Sequence, residues 1–260
     1  SSSMEDGEDK EKASSTDKGG IDVEFENASM MYKGAGADSI SNINFTAKAG
    51  SVTGVIGGTG SGKSTLVNLI PRFYDVSQGC VKVGGRDVRT YEIDTLRHKT
   101  GIVLQKAVLF RGTIRDNILW GNPDATDEEI IEALKAAQAW EIVTGKDKGL
   151  DYIIEQGGRN LSGGQKQRLT IARALVRKPA ILVFDDSSSA LDFATEAKLR
   201  KSLQELSYSP TIFIVSQRTS SIQHADNILV LDDGELAGQG THDELVKNCE
   251  VYREIYNSQA

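Results

Sequence analysis

Short apolar runs alternate with longer amphipathic stretches along most of this chain. Ile21, Val23 and Phe25 recur at every second position, the period of a half-buried strand. Residues 40–45 predict a second, edge-like strand. Residues 51–56 form an apolar run ending in glycines, the pattern of a central strand, and 63–70 then predict a helix stopped by Pro71. Further strands are expected at 101–104, 180–184, 211–215 and 227–231, and Asp232-Asp233-Gly234 predicts a tight turn back into 235–238. Helical periodicity covers 127–139, 163–177 and 195–206. Strands alternating with helices imply an α/β fold with a mostly parallel sheet covered on both faces. The segment from about Tyr91 to Val176 is rich in helix and poor in strand, so a separate helical lobe inserted into the sheet domain is expected there. No internal repeat is visible.

Composition adds limits. The chain has 260 residues, enough to bury a sizeable core. Its first 20 residues are Ser, Gly and charge with almost no apolar content, and read as a disordered linker with a cloning-tag remnant. The missing initial Met fits a fragment, and the folded domain is expected over 21–260. The net charge of −7, part of it from Glu5, Asp6, Glu8 and Asp9, argues against a nucleic-acid grip, which needs clustered cations. Two cysteines, Cys80 and Cys249, are too few for a disulfide framework and suit a reducing cytosolic setting. No apolar run approaches the roughly 18–20 residues of a membrane helix, and no signal-peptide pattern is present. The chain itself is therefore not expected to span a membrane, and any membrane partner would lie outside it.

Gly57, Gly58, Thr59, Gly60, Ser61, Gly62, Lys63 and Ser64, followed by Thr65, fit G-x-x-x-x-G-K-[ST] between an expected strand and an expected helix. Glycines let backbone N–H groups turn inward around phosphate oxygens without Cβ clashes. The following helix aims its positive end at the same anion. Lys63 is placed to reach the β- and γ-phosphates, and the Ser64 hydroxyl to ligate Mg²⁺. The bland alternative, a glycine-rich turn with a chance Lys-Ser, does not account for the flanking strand and helix. The loop predicts Mg-ATP binding but does not choose among kinase, GTPase, motor and pump.

A second constellation narrows the class. Leu161, Ser162, Gly163, Gly164 and Gln165 precede a helix with apolar or small residues at Leu169, Ala172, Leu175 and Val176. Ser162 is positioned to cap that helix, and Gly163 and Gly164 expose further N–H groups at its positive end. A lone Ser-Gly-Gly cap would be common. Here the apolar run 181–184 follows at short distance and ends in Asp185 and Asp186. With these motifs in this order, the chain resembles the nucleotide-binding domain of an ABC transporter from about Ile21 to its C-terminus.

The resemblance implies a P-loop NTPase core with an antiparallel β subdomain and an inserted helical subdomain, here at about 91–176. Its cofactors are ATP and Mg²⁺, with Ser64, Gln105 and Asp185 around the metal. Leu161 to Gln165 matches the family signature. Gln105 matches the loop glutamine that senses the metal and contacts the membrane domain. Ser189-Ala190-Leu191-Asp192 matches the loop that crosses to a partner, and Tyr32 the aromatic that stacks on adenine. The middle segment, with Asp94-Thr95-Leu96-Arg97, Leu109-Phe110, Gly112-Thr113-Ile114, Asn117-Ile118 and Gly121, resembles exporter-type domains. Ile154-Glu155-Gln156-Gly157 resembles the exporter loop that touches the coupling helices, with one extra residue in Gly157-Gly158-Arg159-Asn160.

Two positions depart from the family pattern. The residue after the metal aspartate is usually Glu; here it is Asp186, one methylene shorter. The switch-loop residue is usually His; here it is Gln217. A carboxylate drawn back by roughly 1 Å can lose about a hundredfold in rate, and general-base help is worth roughly 10²–10⁴. Gln217 can donate a hydrogen bond but cannot become cationic or relay a proton. The expected outcome is ATP binding with poor hydrolysis at this chain's own site, the alternative being that both changes are tolerated. The pair resembles the degenerate-site half of a heterodimeric exporter, whose two ATPase chains dimerise head to tail. The intact signature would then complete the site of a partner.

The implied partners are a transmembrane domain, in the same full-length chain or another subunit, and a second ABC ATPase domain on a different chain, with no nucleic acid. The implied location is the cytoplasmic face of the membrane, with the fragment itself soluble. Two other readings stand beside this: a non-hydrolysing ATP-dependent regulatory module, and an ABC ATPase acting on nucleic acid. The second usually carries paired ATPase domains, a coiled-coil insertion or a basic arm, none of which is visible. His98, His224 and His242 have no ligand-spaced companions, so surface or capping roles are expected. The cations of 168–178 read as a solvated helix face.

Overall fold

The computed structural model describes residues 19–259; most of the expected linker, 1–18, and Ala260 lie outside the described residues. In chain order the strands are β1 (Val23–Met30), β2 (Ile40–Ala47), β3 (Val52–Gly57), β4 (Gln78–Val83), β5 (Arg86–Asp87) and β6 (Thr100–Leu104). They continue with β7 (Gly112–Thr113), β8 (Ile153–Ile154), β9 (Ile181–Asp185), β10 (Thr211–Val215), β11 (Asn227–Asp232) and β12 (Glu235–Gly240). The α-helices are α1 (Lys63–Asn68), α2 (Ile93–His98), α3 (Ile114–Leu119), α4 (Asp127–Ala136) and α5 (Trp140–Thr144). After them come α6 (Gly163–Leu175), α7 (Phe193–Gln204), α8 (Thr219–Ile222), α9 (His242–Asn248) and α10 (Glu250–Asn257).

The main sheet has the order β12-β11-β3-β10-β9-β6, parallel except for the hairpin partner β12. Its central strands are apolar on both faces because both are covered. In β9, Ile181 and Val183 join one core, while Leu182 and Phe184 join the core on the opposite face. The first core also takes Leu66, Val67 and Ile70, around α1, and the inner side of a four-stranded antiparallel sheet ordered β2-β1-β4-β5. The second takes the buried faces of α3, α4, α6 and α7. A third cluster packs Ile222, Leu245 and Tyr252 against Ile56, Ile228 and Val230.

The α/β architecture, the mostly parallel sheet and the antiparallel β subdomain match expectation. The span expected for a helical lobe, 91–176, includes the strand expected at 101–104. That strand is β6, which pairs with β9 as the edge of the main sheet. Val103 on β6 shares one buried core with Ile118, Leu134 and Leu169, so the helices are continuous with the sheet's own packing. The β4–β5 hairpin was not among the expected strands, although Val81 and Val83 alternate before Gly84-Gly85. Some helix ends also differ. Helix α1 stops before Pro71 because its last turn tightens, with Leu69 and Ile70 bonding back three residues. Helix α4 ends at Ala136 because Gln138 turns left-handed at φ 58, and Lys178 does the same after α6 at φ 49. Among the described residues no helix is long and apolar enough to cross a membrane.

Candidate functional site

Parallel strands deliver their C-terminal ends to one edge of the sheet, where open α/β sheets bind ligands. The order β3-β10-β9-β6 places four loops side by side there. They carry Gly57 to Thr65 after β3, Gln217 after β10, Asp186 after β9 and Gln105 after β6. Register sharpens this: Asp185 pairs with Val215 on one side and Leu104 on the other. Asp186 is therefore flanked by the loops bearing Gln217 and Gln105. Its N–H donates to the Val215 carbonyl at 2.8 Å, and its backbone is left-handed at φ 50.

The phosphate loop depends on its glycines at specific points. Gly60 and Gly62 have φ of 77 and 99, values that favour glycine. A Cβ on Gly57 would lie 2.3 Å from the Leu231 carbonyl, and one on Gly62 would lie 2.6 Å from Ile40 Cγ2. Gly58 and Gly60 face open space, with no atom within 4 Å of a built Cβ. Thr59 is exposed and Ser61 buried. The first turn of α1 contains no acidic residue of its own and has no side-chain cap, which leaves its N–H groups without a capping side chain. Lys63 Nζ donates to the carbonyls of Gly57 at 2.8 Å and Gly58 at 2.7 Å. Burial holds the Lys63 pKa below its ordinary value, while Asp186 and Asp185 pull it back up.

The Ser64 hydroxyl donates to Asp185 Oδ1 at 3.1 Å across 121 residues of sequence. A hydroxyl and a carboxylate oxygen meeting beside an ammonium are a fitting donor set for a hard divalent cation and phosphate. Asp186 is half-buried, and desolvation raises its pKa, reinforced by Asp185 and opposed by Arg218 and Lys63. The side chains of Gln105 and Gln217 are exposed. Tyr32 shares a 2.9 Å hydrogen bond between its hydroxyl and Thr65 Oγ1, and Tyr74 meets its ring edge-on at 5.0 Å.

The signature behaves differently. Ser162 Oγ accepts from the Gln165 N–H at 3.2 Å, and Gln165 Oε1 accepts from the Ser162 N–H at 3.0 Å. This reciprocal capping box satisfies two helix-end donors without the phosphate loop. Leu161 is buried, Gly163 faces open space, and a Cβ on Gly164 would lie 3.3 Å from the Ala190 carbonyl. The signature thus sits against the loop leading to Asp192, whose carboxylate caps α7 by accepting from the Thr195 N–H at 2.8 Å. Thr195 holds the Asp192 pKa below its ordinary value through its backbone and side-chain bonds.

Some residues joined to this edge have no motif to announce them. The fully buried Gln167 donates from Nε2 to the Leu104 carbonyl at 3.0 Å, tying the signature helix to the strand end before Gln105. Arg218 donates to the Ser188 carbonyl at 3.1 Å, joining the loops after β10 and β9. Only Gln167's polarity within an apolar helix face could have flagged it.

Comparison with known proteins identifies relatives in sequence and in fold. The family model described as ABC transporter matches residues 40–189. The chain is 43% identical over 253 residues to the uncharacterized ABC transporter ATP-binding protein YfiB of Bacillus subtilis, covering 97% of this chain and 44% of that protein. It is 42% identical over 237 residues to YgaD of Bacillus subtilis, described as a putative multidrug export ATP-binding/permease protein, covering 91% of this chain and 41% of that one. A solved bacterial Atm1-family ABC exporter with ATP bound superposes with a TM-score of 0.88 at 37% identity, covering 92% of this chain and 42% of that one. The chain spans less than half the length of these relatives.

Proposed function

Because this chain belongs to the ABC transporter family, we propose that it is the ATP-hydrolysing domain of an exporter, and that its own phosphate loop holds Mg-ATP while cleaving it slowly. The observation that carries this is the Ser64–Asp185 contact beside Lys63, with Asp186 and Gln217 on the flanking strand ends. Ser64, Asp185 and Gln105 would hold Mg²⁺, which when bound neutralises charge on the phosphate oxygens. Lys63 would exchange its bonds to the Gly57 and Gly58 carbonyls for phosphate oxygens. Tyr32 would offer its ring face to adenine. Slow cleavage follows from the shortened Asp186 carboxylate and from Gln217, which can orient a phosphate oxygen but not change charge.

The signature supports a head-to-tail pairing with a second ATPase domain on a different chain. Its side chains satisfy each other and Gly163 is open, so its remaining donors are free for a nucleotide bound elsewhere. Asp192 and the preceding loop, against which Gly164 packs, would cross to that partner. A transmembrane partner fits the exposed face beside Gln105. There Leu104 is 54% and Trp120 67% exposed, with Trp120 stacked on Phe110 at 4.8 Å. Loss of water from such a face favours a docked partner. The permease in YgaD's description and the exporter in the solved relative support this reading, which puts the chain at the cytoplasmic face of the membrane.

The test is ATP turnover by the assembled transporter with Asp186→Glu and Gln217→His together. The expected result is a gain in turnover assignable to this site. Unchanged turnover would overturn the slow-cleavage assignment.

A further inference from the structure

The loop that carries Gln217 is held from a place the site itself does not include. Helix α8 begins with Arg218 as its N-cap, and Arg218 supplies no side-chain cap. The missing acceptor comes from Gln259. Its Oε1 accepts from the Thr219 N–H at 2.9 Å and from the Thr219 hydroxyl at 3.1 Å. Its Nε2 donates to the Gln217 carbonyl at 2.6 Å. One side-chain amide thus uses both ends on the backbone of a single turn, and none of these bonds uses the Gln217 side chain.

Gln259 is itself anchored. Its N–H donates to the Tyr256 carbonyl at 3.1 Å, continuing the turn of α10. Tyr252 on α10 is fully buried in the cluster that includes Ile222 of α8. The Tyr252 hydroxyl shares a 2.7 Å hydrogen bond with His242 Nδ1, and the His242 ring lies edge-on to Tyr252 and Tyr256. On its other side the loop is held by Arg218, which bonds the Ser188 carbonyl and lies 5.7 Å from the centre of the Phe193 ring. The backbone at 217–219 is therefore clamped between the loop that follows Asp186 and the C-terminal helix.

We infer that Gln259 is a positioning residue for the ATP site, fixing the backbone at 217–219 so that the Gln217 side chain meets the terminal phosphate. This rests on the proposed role of Gln217. A residue that only capped α8 would stabilise the fold equally for every nucleotide. One that aims Gln217 acts on the γ-phosphate alone, so ATP and ADP binding must respond differently.

The experiment compares Gln259→Met, similar in length but without the amide, with Gln217→Ala in the full 260-residue chain. Hydrogen exchange at the Thr219 amide reports the clamp, and calorimetric titration with Mg-ATP and Mg-ADP reports its consequence. Gln259→Met is expected to speed Thr219 exchange and to weaken ATP binding roughly three- to tenfold, leaving ADP within about twofold. Gln217→Ala should show the same ATP-selective loss. If Gln217→Ala is selective while Gln259→Met weakens both nucleotides equally, or neither, Gln259 is only a helix cap and the inference fails. Unchanged Thr219 exchange in Gln259→Met overturns it as well. An unselective Gln217→Ala overturns the reading of Gln217, and this inference with it.

Discussion

Ser162 offers the sharpest separation between holding a helix and serving a partner's nucleotide. Its hydroxyl accepts from the Gln165 N–H at 3.2 Å, one half of the capping box that starts α6. Removing a Ser cap in favour of Ala destabilises by about 1 kcal/mol, whereas Gly at the same position loses only a few tenths. Ser162→Ala should therefore lower the stability of the 260-residue chain by about 1 kcal/mol, and Ser162→Gly by much less. The exposed hydroxyl is absent in both variants. If it also contacts nucleotide bound to a partner domain, both should reduce the assembled transporter's turnover alike, by roughly 10²–10³, as for loss of one preorganised donor. Urea unfolding measures the first quantity and steady-state phosphate release the second. Turnover that follows stability, with Ser162→Gly near wild type, would show that the hydroxyl acts only as a cap.

Other consequences follow from the same geometry. Gly60→Ala introduces strain at φ 77 but meets no neighbour, while Gly62→Ala adds contacts of 2.6 Å with Ile40 and 2.7 Å with the Ser39 carbonyl to a φ of 99. Unfolding midpoints should show Gly62→Ala as the more damaging by about 1–3 kcal/mol, and equal losses would contradict the local packing. Tyr32→Phe keeps the ring and loses only the bond to Thr65, so it should bind ATP nearly normally. Tyr32→Leu should lose about 1–3 kcal/mol of base stacking in a titration, and similar affinities for the two variants would remove Tyr32 from the adenine site. Burial and Asp185 raise the folded-state pKa of Asp186. Its relative stabilisation is thus full below the ordinary carboxylate value and is lost as pH rises through the raised one. Asp186→Asn should then raise the urea midpoint near neutral pH, with the gain vanishing below about pH 4; a gain that persists in acid would contradict the desolvation argument.

What could be read along the chain was local. The phosphate loop needs glycine at particular backbone angles within a few residues, and the Ser162 cap closes over three residues, so their chemistry lies in adjacent letters. Runs such as 180–184 and 211–215 announced central strands because burial on both faces requires continuous apolar residues. The left-handed turns at Gln138 and Lys178 that end two helices had no such signal, because neither residue is a glycine. The strand at 101–104 is legible as an apolar run, but its place at the edge of the main sheet comes only from its pairing with β9. Asp186 and Gln217 were visible as departures from a pattern, but only the order β3-β10-β9-β6 brings their loops side by side. Gln167 reaching Leu104, Arg218 reaching Ser188 and Gln259 reaching Gln217 connect residues 63, 30 and 42 positions apart. By itself the sequence determined the order of the motifs and which groups are candidates for phosphate and metal. Which backbone holds those groups in place was decided by strand order and helix packing, because a hydrogen bond between distant segments exists only where the fold brings donor and acceptor within about 3 Å.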